Sequence, residues 1–370
     1  MNDLSVIGLT KRFGNDTVLD GLSFDVPAGG TLVLFGRSGS GKSVLLSCIA
    51  GAIDPEEGAI AIGGEDVTSL PPEKRDVGMA FQNFALFPHM SAFDNIASPL
   101  TARRSKRAAI KEGVENVAKL LKIDHVLGHQ PRALSNGQKQ RTSLARALAA
   151  SPRLLLLDDP LRNVDAKLRF EMRLELPRLL AENDATVVYV TQDYKEAMAL
   201  GDRIAVLDAG KIVQIGTPEE IYHRPANTGI AQLFGDPSIN LLDVVPGRDG
   251  EGVFVRLSDQ RVALDPGLAA AVGKDCIVGL RPEALRFTDE PHGIPVTIDA
   301  ETPLNEKTVT LVETLRRREI LVSRPAGTPA PSEGETRLMV ASADTILFDR
   351  ASGERIVPEH TAAPANEAAA

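Results

Sequence analysis

"GRSGSGKS", residues 36–43, matches the pattern G-x-x-x-x-G-K-[ST] of a phosphate-binding loop. It lies between the apolar runs TLVLFG and KSVLLSCIAGAI, which predict a strand and a helix. Glycines let the backbone wrap closely around phosphates, while backbone N–H groups and the helix N-terminus supply positive potential. The lysine of the pattern reaches the β and γ phosphates, and the hydroxyl after it can bind Mg²⁺. The residues expected to contact a nucleotide are Gly36, Ser38, Gly39, Ser40, Gly41, Lys42 and Ser43.

A second acidic signal follows the apolar run LLLLDD, residues 154–159. At the end of a buried strand, Asp158 can hold Mg²⁺ through water and Asp159 can orient an attacking water. Aspartate is also common at strand-end turns and helix N-caps, so this stretch taken alone leaves both interpretations open. Together with the upstream loop it favours a nucleotide site.

The order of apolar runs indicates the fold class. The runs RLLLLDD and ATVVYVT are separated by AKLRFEMRLELPRLLAEN, which has a helical pattern. Fully apolar strands that alternate with helices are typical of a parallel sheet buried on both faces. From about residue 236 the pattern changes to short alternating runs with frequent Gly and Pro, which predicts a small barrel or sandwich. The fold class is therefore α/β, followed by a smaller all-β domain.

Composition excludes several classes of protein. The net charge is −9 and the chain has no basic run, which argues against a nucleic-acid partner. Cys48 and Cys276 lie far apart without neighbouring histidines, so neither a disulfide scaffold nor a zinc site is expected, and a reducing cytosol is indicated. No stretch approaches the roughly 18 apolar residues of a membrane span. We expect any membrane role to depend on a partner.

The stretch LSNGQKQR, residues 134–141, resembles the signature sequence of ATP-binding cassette proteins, usually LSGGQ. Other motifs of that family follow in order: Phe13 where an aromatic residue stacks on adenine, Gln82 as the Q-loop, Asp165 as the D-loop, and Gln192 where the switch histidine belongs. The resemblance covers residues 3–235. It implies an ATPase with ATP as substrate and Mg²⁺ as cofactor.

The resemblance also implies roles for individual residues. The catalytic residues would be Asp159, Gln192 and Gln82, and the residues that hold the metal would be Ser43, Gln82 and Asp158. Besides the phosphate loop, the ATP-binding residues would be Phe13, Ser135, Asn136, Gly137, Gln138 and Asp165, with the signature residues facing ATP on the other protomer of a dimer.

Domain limits follow from the two patterns together. We expect a P-loop nucleotide-binding domain with a mixed sheet over residues 1–235, including a helical subdomain at about 84–150. An all-β domain similar to an oligonucleotide-binding (OB) fold is expected over 236–357. Residues 358–370 are rich in Ala and Pro without periodicity, which predicts a disordered tail.

The stretches GTPEEIYHRPAN, FGDPSINLL and VGLRPEAL resemble the regulatory extension of import ATPases, above all the maltose and glycerol-phosphate group. This implies a peripheral subunit on the cytoplasmic face of a bacterial inner membrane that energises uptake of a sugar, polyol, glycerol or glycerol phosphate. Its partners would be two permease subunits, docking near Phe84, Leu86 and Phe87, and indirectly a periplasmic or extracellular solute-binding protein.

Three residues depart from the family pattern. Asp159 stands where the family has a longer glutamate, Gln192 replaces the histidine, and Asn136 replaces a glycine. Asp159 and Gln192 belong to the chain's own site, so we expect that site to hydrolyse ATP slowly and the chain to pair with a second, non-identical ATPase. Asn tolerates a left-handed backbone, so the signature loop can survive its substitution.

Other interpretations stay open at this point. They are a homodimeric importer ATPase for a polyamine, sulfate or iron, an ABC ATPase outside transport, and a catalytically silent regulatory subunit. Against a DNA-repair ATPase, the segment between Lys42 and Leu134 has no sustained heptads.

Overall fold

The computed structural model describes residues 2–162, 164–181, 185–328 and 335–359. The chain divides into two compact units, Met1–Pro218 and Glu219–Ala370. No helix among the described residues is long and apolar enough to cross a membrane.

The first unit alternates strands and helices. In its described part the strands are β1 (Asn2–Phe13), β2 (Asp16–Pro27), β3 (Thr31–Phe35), β4 (Glu57–Ile62), β5 (Glu65–Asp66), β6 (Val77–Ala80), β7 (Leu154–Asp158), β8 (Thr186–Thr191), β9 (Arg203–Asp208) and β10 (Lys211–Gly216). The helices are α1 (Lys42–Ala50), α2 (Ala92–Ala102), α3 (Arg107–Leu120), α4 (Asn136–Leu148), α5 (Ala166–Ala181) and α6 (Tyr194–Leu200).

A six-stranded sheet of order β10–β9–β3–β8–β7–β6 forms the middle of this unit. All neighbours pair parallel except β10, which runs antiparallel to β9 and makes the sheet mixed. Every residue of β7 and β8 is buried, as their apolar sequences predicted. Because the strands are parallel, the carboxyl ends of β3, β7 and β8 lie at one edge, with Phe35 opposite Thr191 and Asp158 opposite Val190. The segments that follow these three strands therefore meet.

A second, antiparallel sheet of order β2–β1–β4–β5 shares its core with α1 and the parallel sheet. The region predicted to be helical over 84–150 contains α2, α3 and α4. The periodic stretch KEGVENVAKLLKI lies largely in α3, which turns Val114 and Ala118 toward the interior.

The second unit is all-β after two short helices, as its alternating pattern predicted. The helices are α7 (Pro218–His223) and α8 (Thr228–Leu233). Its described strands are β11 (Asn240–Val244), β12 (Gly247–Asp249), β13 (Gly252–Leu257), β14 (Gln260–Ala263), β15 (Cys276–Leu280), β16 (Arg286–Thr288), β17 (Ile294–Pro303), β18 (Lys307–Thr314), β19 (Glu319–Pro325), β20 (Glu335–Met339) and β21 (Thr345–Asp349). They form the sheets β11–β15–β21, β12–β13–β14 and β16–β20–β17–β18–β19, which share one apolar core.

The two compact units divide after Pro218, and the limit of the nucleotide-binding domain at residue 235 stays a prediction. The buried guanidinium of Arg281 donates hydrogen bonds to backbone carbonyls of α7, Ala231 and Phe234. These bonds tie residues 219–235 to the all-β unit. The tail predicted over 358–370 lies outside the described residues from residue 360 onward.

Candidate functional site

The phosphate loop joins β3 to α1 through glycines that no other residue can replace without strain. A Cβ on Gly36 would lie 2.2 Å from the carbonyl oxygen of Leu207. Gly41, the N-cap of α1, has φ of 101°, and a Cβ there would lie 2.9 Å from the carbonyl oxygen of Val18. Gly39 also has positive φ, but a Cβ there would meet open space. The first two glycines are therefore packed, and the third leaves room beside the loop.

Lys42 is the first residue of α1 and is only 6% exposed. Its ammonium donates to the carbonyl oxygens of Gly36 and Arg37, at 2.8 and 2.6 Å, and to Ser40 Oγ at 3.1 Å. Burial lowers the pKa of Lys42, and the nearby carboxylates of Asp159 and Asp158 oppose this shift. A buried ammonium held against a loop of backbone N–H groups is suited to bind an anion.

Asp158 ends β7 and faces the start of α1. Ser43 Oγ donates a hydrogen bond to Asp158 Oδ1 at 3.2 Å. Burial raises the pKa of Asp158, while the hydrogen bond from Ser43 and the charge of Lys42 lower it. A hydroxyl and a carboxylate in contact are the oxygen ligands Mg²⁺ takes when phosphates complete its coordination, so these residues fit that ion. The described residues contain no group of three or more His, Cys, Asp or Glu that could bind a metal without such phosphates.

Asp159 follows Asp158 in a left-handed backbone conformation, with φ of 47°. Its N–H donates to the carbonyl oxygen of Val190 on β8 at 2.9 Å, which fixes it at the strand end. The residue is 7% exposed, and Arg162 Nη1 lies 3.6 Å from its Oδ2. Burial raises the pKa of Asp159, Arg162 opposes that rise, and Asp158 adds to it.

One cavity of about 220 Å³ brings most of the predicted residues together. Among its lining residues are Ser38, Gly39, Gly41, Lys42, Ser43, Gln82, Asp158, Asp159, Arg162 and Gln192. We call it the phosphate cavity. Gln82 follows β6 and Gln192 follows β8, so the sheet assembles groups that are far apart in sequence.

The turn that carries Gln192 is held by a buried carboxylate that the sequence pattern did not single out. Glu196 is 1% exposed and accepts hydrogen bonds at 2.9 Å from the hydroxyls of Tyr189 and Thr191. Thr191 Oγ1 in turn accepts the backbone N–H of Asp193 at 3.0 Å. Burial raises the pKa of Glu196, and the hydrogen bonds from Thr191 and Tyr189 oppose this. The available signal was its four-residue spacing from buried Leu200 on α6.

The signature residues lie in a different place from the phosphate cavity. Ser135 caps α4: its Oγ accepts the N–H of Gln138 at 3.3 Å, and Gln138 Oε1 accepts the N–H of Ser135 at 2.9 Å. Together with Asn136, Gly137 and Asp165 they line a second cavity of about 580 Å³, which we call the signature cavity. No residue lines both cavities among those described.

Asn136 does not use the left-handed conformation on which its tolerance was expected to depend. It is the first residue of α4, and its φ is not positive. The substitution of glycine by asparagine is accommodated because this position needs ordinary helical backbone, which any residue adopts.

The predicted stacking of Phe13 on adenine stays a prediction. It ends β1, its side chain is 48% exposed, and Lys11 Nζ lies 5.2 Å from its ring centroid. It lines neither of the two cavities.

A third, largely apolar cavity of about 580 Å³ lies beside the turn after Gln82. Phe81, Ala85 and Phe87 line it, whereas the predicted Phe84 and Leu86 do not. The turn is held from α4, since Ser143 Oγ donates to Phe84 O at 2.8 Å and Arg146 Nη1 donates to Ala85 O at 2.7 Å. Phe87 is 43% exposed.

Comparison with known proteins identifies the family. The ABC transporter family model matches residues 19–162, and the MalK OB fold domain model matches residues 235–285. The trehalose/maltose import ATP-binding protein MalK of Thermococcus litoralis is 42% identical over 297 residues, which are 77% of this chain and 79% of that protein. The chain belongs to the ABC transporter family.

Other relatives of this ABC ATPase span nearly its whole length. The sn-glycerol-3-phosphate import ATP-binding protein UgpC of Cereibacter sphaeroides is 38% identical, and the match covers 96% of this chain and 100% of that protein.

A solved structure matches only part of the chain. It is a dimeric ATP-binding cassette in a post-hydrolysis state, bound to ADP and Pi, which is 29% identical with a TM-score of 0.54, and the match covers 58% of this chain and 98% of that one.

The predicted fold and reaction class are confirmed. The ABC ATPase has a P-loop cassette with a mixed sheet, followed by an all-β OB-fold domain. It is an ATPase that binds ATP together with Mg²⁺.

Proposed function

We propose that this ABC ATPase powers the import of a carbohydrate-like solute: a sugar, a polyol, glycerol or glycerol phosphate. The observation that supports this most is similarity along both domains to relatives named as import ATP-binding proteins for trehalose/maltose and sn-glycerol-3-phosphate. A third relative, the alpha-glucoside transport ATP-binding protein AglK of Rhizobium meliloti, is 37% identical over 94% of this chain and is also named for a sugar.

The proposed roles in the phosphate cavity come from the family resemblance, and they are supported by the meeting of these residues in one cavity. Lys42 and the loop N–H groups bind the β and γ phosphates, and Ser43, Asp158 and Gln82 hold Mg²⁺. Mg²⁺ bound there neutralises the charge that develops on the phosphates. Asp159 orients and polarises the attacking water, and Gln192 donates a hydrogen bond to the γ-phosphate. In the proposal Phe13 stacks on adenine.

The signature cavity serves a second cassette in this proposal. Its residues Ser135, Asn136, Gly137, Gln138 and Asp165 face ATP on the other protomer. The N-terminus of α4 supports this, because N–H groups at the start of a helix attract phosphate. ATP bound between two cassettes closes them, and hydrolysis with product release reopens them.

We propose further that the chain's own site is slow. An aspartate is one methylene shorter than a glutamate, which withdraws the carboxylate by about 1.5 Å, and a misplacement near 1 Å can cost about a hundredfold in rate. Gln192 cannot acquire the positive charge of an imidazole. We expect steady-state turnover by the purified chain well below the roughly 10 s⁻¹ that is median for enzymes. An ordinary rate would contradict this part of the proposal.

A second, non-identical ATPase partner rests on Asp159 and Gln192 alone, and the names of the relatives give it no support. It stays a prediction. Intact-mass analysis of the complex purified from native membranes tests it: two different cassettes in one complex support it, and a single cassette species contradicts it.

The apolar third cavity is proposed to receive a segment of a permease subunit at the cytoplasmic face of the membrane. An exposed Phe87 beside Phe81 and Ala85 supports an interaction surface of this kind. Phe87→Ala should abolish permease binding in a pull-down while ATP affinity stays within about twofold. Equal loss of permease and ATP binding would indicate a folding defect and count against docking.

The import function is tested with the complex in liposomes, together with its solute-binding protein. ATP turnover should rise when maltose, a polyol or glycerol phosphate is offered and stay unchanged with sulfate or spermidine. Stimulation by sulfate or spermidine, with none by any carbohydrate, would contradict the proposed solute class.

A further inference from the structure

Among the described residues, three cationic side chains line the phosphate cavity or the opening beside Gln192: Lys42, Arg162 and Arg169. Lys42 is held on the loop. Arg169 donates to the carbonyl oxygens of Leu161, Arg162 and Val164 at 3.1 to 3.2 Å, so it fastens the turn after β7. Arg162 lines both the phosphate cavity and the opening beside Gln192.

Neighbouring residues hold the backbone of Arg162, and its side chain lines the phosphate cavity. Its N–H donates to the carbonyl oxygen of Asp159 at 3.3 Å, which closes a tight turn, and Arg169 holds its carbonyl. Its side chain is half exposed, and Nη1 lies 3.6 Å from Asp159 Oδ2. At this distance the two side chains form an ion pair without a hydrogen bond. The N–H groups of the Arg162 guanidinium are therefore not donated to Asp159.

We propose that Arg162 is a catalytic residue of this site that binds the γ-phosphate and supplies the positive charge that Gln192 cannot carry. The proposal rests on the proposed binding of ATP phosphates at Lys42. A guanidinium stays protonated at any working pH and presents a planar fork that matches phosphate oxygens. In the transition state the transferred phosphoryl group gathers negative charge, which a cation at this position stabilises.

The alternative is that Arg162 only neutralises Asp159. The two roles predict opposite changes in turnover when Arg162 is removed. If Arg162 binds the γ-phosphate, its removal lowers turnover and weakens ATP more than ADP. If it only restrains Asp159, its removal frees the base, raises turnover and leaves the preference for ATP over ADP unchanged.

The experiment uses the full chain with Arg162→Gln and Arg162→Lys. Dissociation constants for ATP and ADP, both with Mg²⁺, are measured by calorimetry beside steady-state phosphate release. We expect Arg162→Gln to weaken ATP about tenfold, to leave ADP within about twofold and to lower turnover about a hundredfold. Arg162→Lys keeps the charge but not the planar fork, so its ATP affinity should lie between those of the wild type and Arg162→Gln. Arg107→Gln, an exposed arginine of α3 that lines none of these cavities, is the control and should change neither quantity.

A second variant makes the test specific. Adding Gln192→His to Arg162→Gln should recover about tenfold in turnover, because an imidazolium can replace the missing charge. Equal weakening of ATP and ADP, or a rise in turnover with Arg162→Gln, would overturn the proposal. A fast wild-type chain would contradict the slow site while the ratio of ATP to ADP affinity still decides the role of Arg162. Failure of the wild-type chain to bind either nucleotide would overturn both proposals.

Discussion

The phosphate cavity and the signature cavity are built in different ways. The first is assembled at the carboxyl ends of buried parallel strands from Lys42, Gln82, Asp158 and Gln192, which lie far apart in sequence. The second contains four consecutive signature residues at the start of α4, together with Asp165 and residues of neighbouring elements. The residues of the first cavity are placed by the strands of the sheet, whereas the four signature residues are placed by the local hydrogen bonds of one helix cap.

The comparison separates the residues expected to react with ATP from the residues expected to face the nucleotide of a second cassette. The carboxylates of the phosphate cavity are buried and their pKa values are raised, which is the environment of reacting groups. Ser135 and Asn136 are exposed, and Ser135 and Gln138 form hydrogen bonds with each other within the cap. We therefore expect substitutions in the first cavity to affect nucleotide binding directly, and those in the second to act only when two cassettes meet.

The largest effect should come from Lys42→Ala. Because Lys42 is the buried cation of the loop, its loss should lower ATP turnover by about a thousandfold or more and weaken ATP binding. Phosphate release and calorimetry measure the two. Lys111→Ala, an exposed lysine of α3, is the control. A Lys42→Ala chain that kept its ATP affinity and turnover would break the assignment of the reacting site to the first cavity.

Ser135→Ala tests the second cavity and has a matched control in this chain. Both Ser135 and Ser91 accept a backbone N–H in a capping box, at the start of α4 and of α2. Either substitution should lower stability by about 1 kcal/mol. We expect only Ser135→Ala to lower turnover of the assembled complex, about ten- to a hundredfold, with ATP affinity of the isolated chain unchanged. If Ser91→Ala lowered turnover equally, the effect would belong to helix stability and not to the signature.

How much of each cavity could be predicted from sequence follows from the same difference. The phosphate loop and LLLLDD are local patterns with a stated chemistry, so Lys42, Ser43, Asp158 and Asp159 were found from the residues themselves. Gln82 and Gln192 came from the family resemblance, because a lone glutamine has no pattern of its own. Their meeting in one cavity depends on the strand order, which a sequence without pairing information does not specify.

Other features depended on tertiary contacts that no local pattern encodes. Glu196 matters because the side chains of Tyr189 and Thr191 converge on it, and Arg162 because its guanidinium reaches Asp159. Arg281, far along the chain, likewise holds residues of α7 and α8 by hydrogen bonds that no local pattern predicts.

Glu196→Gln should change stability in a pH-dependent way. The pKa of Glu196 is raised above its ordinary value of 4.5 by burial, so its favourable contribution is complete below that value and is lost as pH rises through the folded pKa. Glutamine still accepts from Tyr189 and Thr191. We expect the variant to melt about 2 to 4 °C higher than the wild type at pH 8 and equally at pH 4. A lower melting temperature at pH 8 would mean that the buried charge is stabilising.

The smallest effect should come from Asn136→Gly, which restores the usual signature. Because Asn136 already has negative φ at the start of α4, glycine relieves no strain there. We expect turnover of the complex to change by less than about threefold, together with a stability loss of about 0.5 kcal/mol from the added chain entropy. A gain of tenfold or more would show that the asparagine side chain obstructs the partner's nucleotide.

The central claim is that Asp159 and Gln192 limit ATP hydrolysis at the site built on this chain's own phosphate loop. The most direct measurement is the ATP turnover of the complex that carries Asp159→Glu with Gln192→His, with Gln192→His alone as an intermediate. Because φ of 47° suits aspartate better than glutamate, unfolding temperatures are recorded beside the rates. The account predicts a rise of about tenfold or more in the double variant. A folded double variant with the wild-type rate would contradict it.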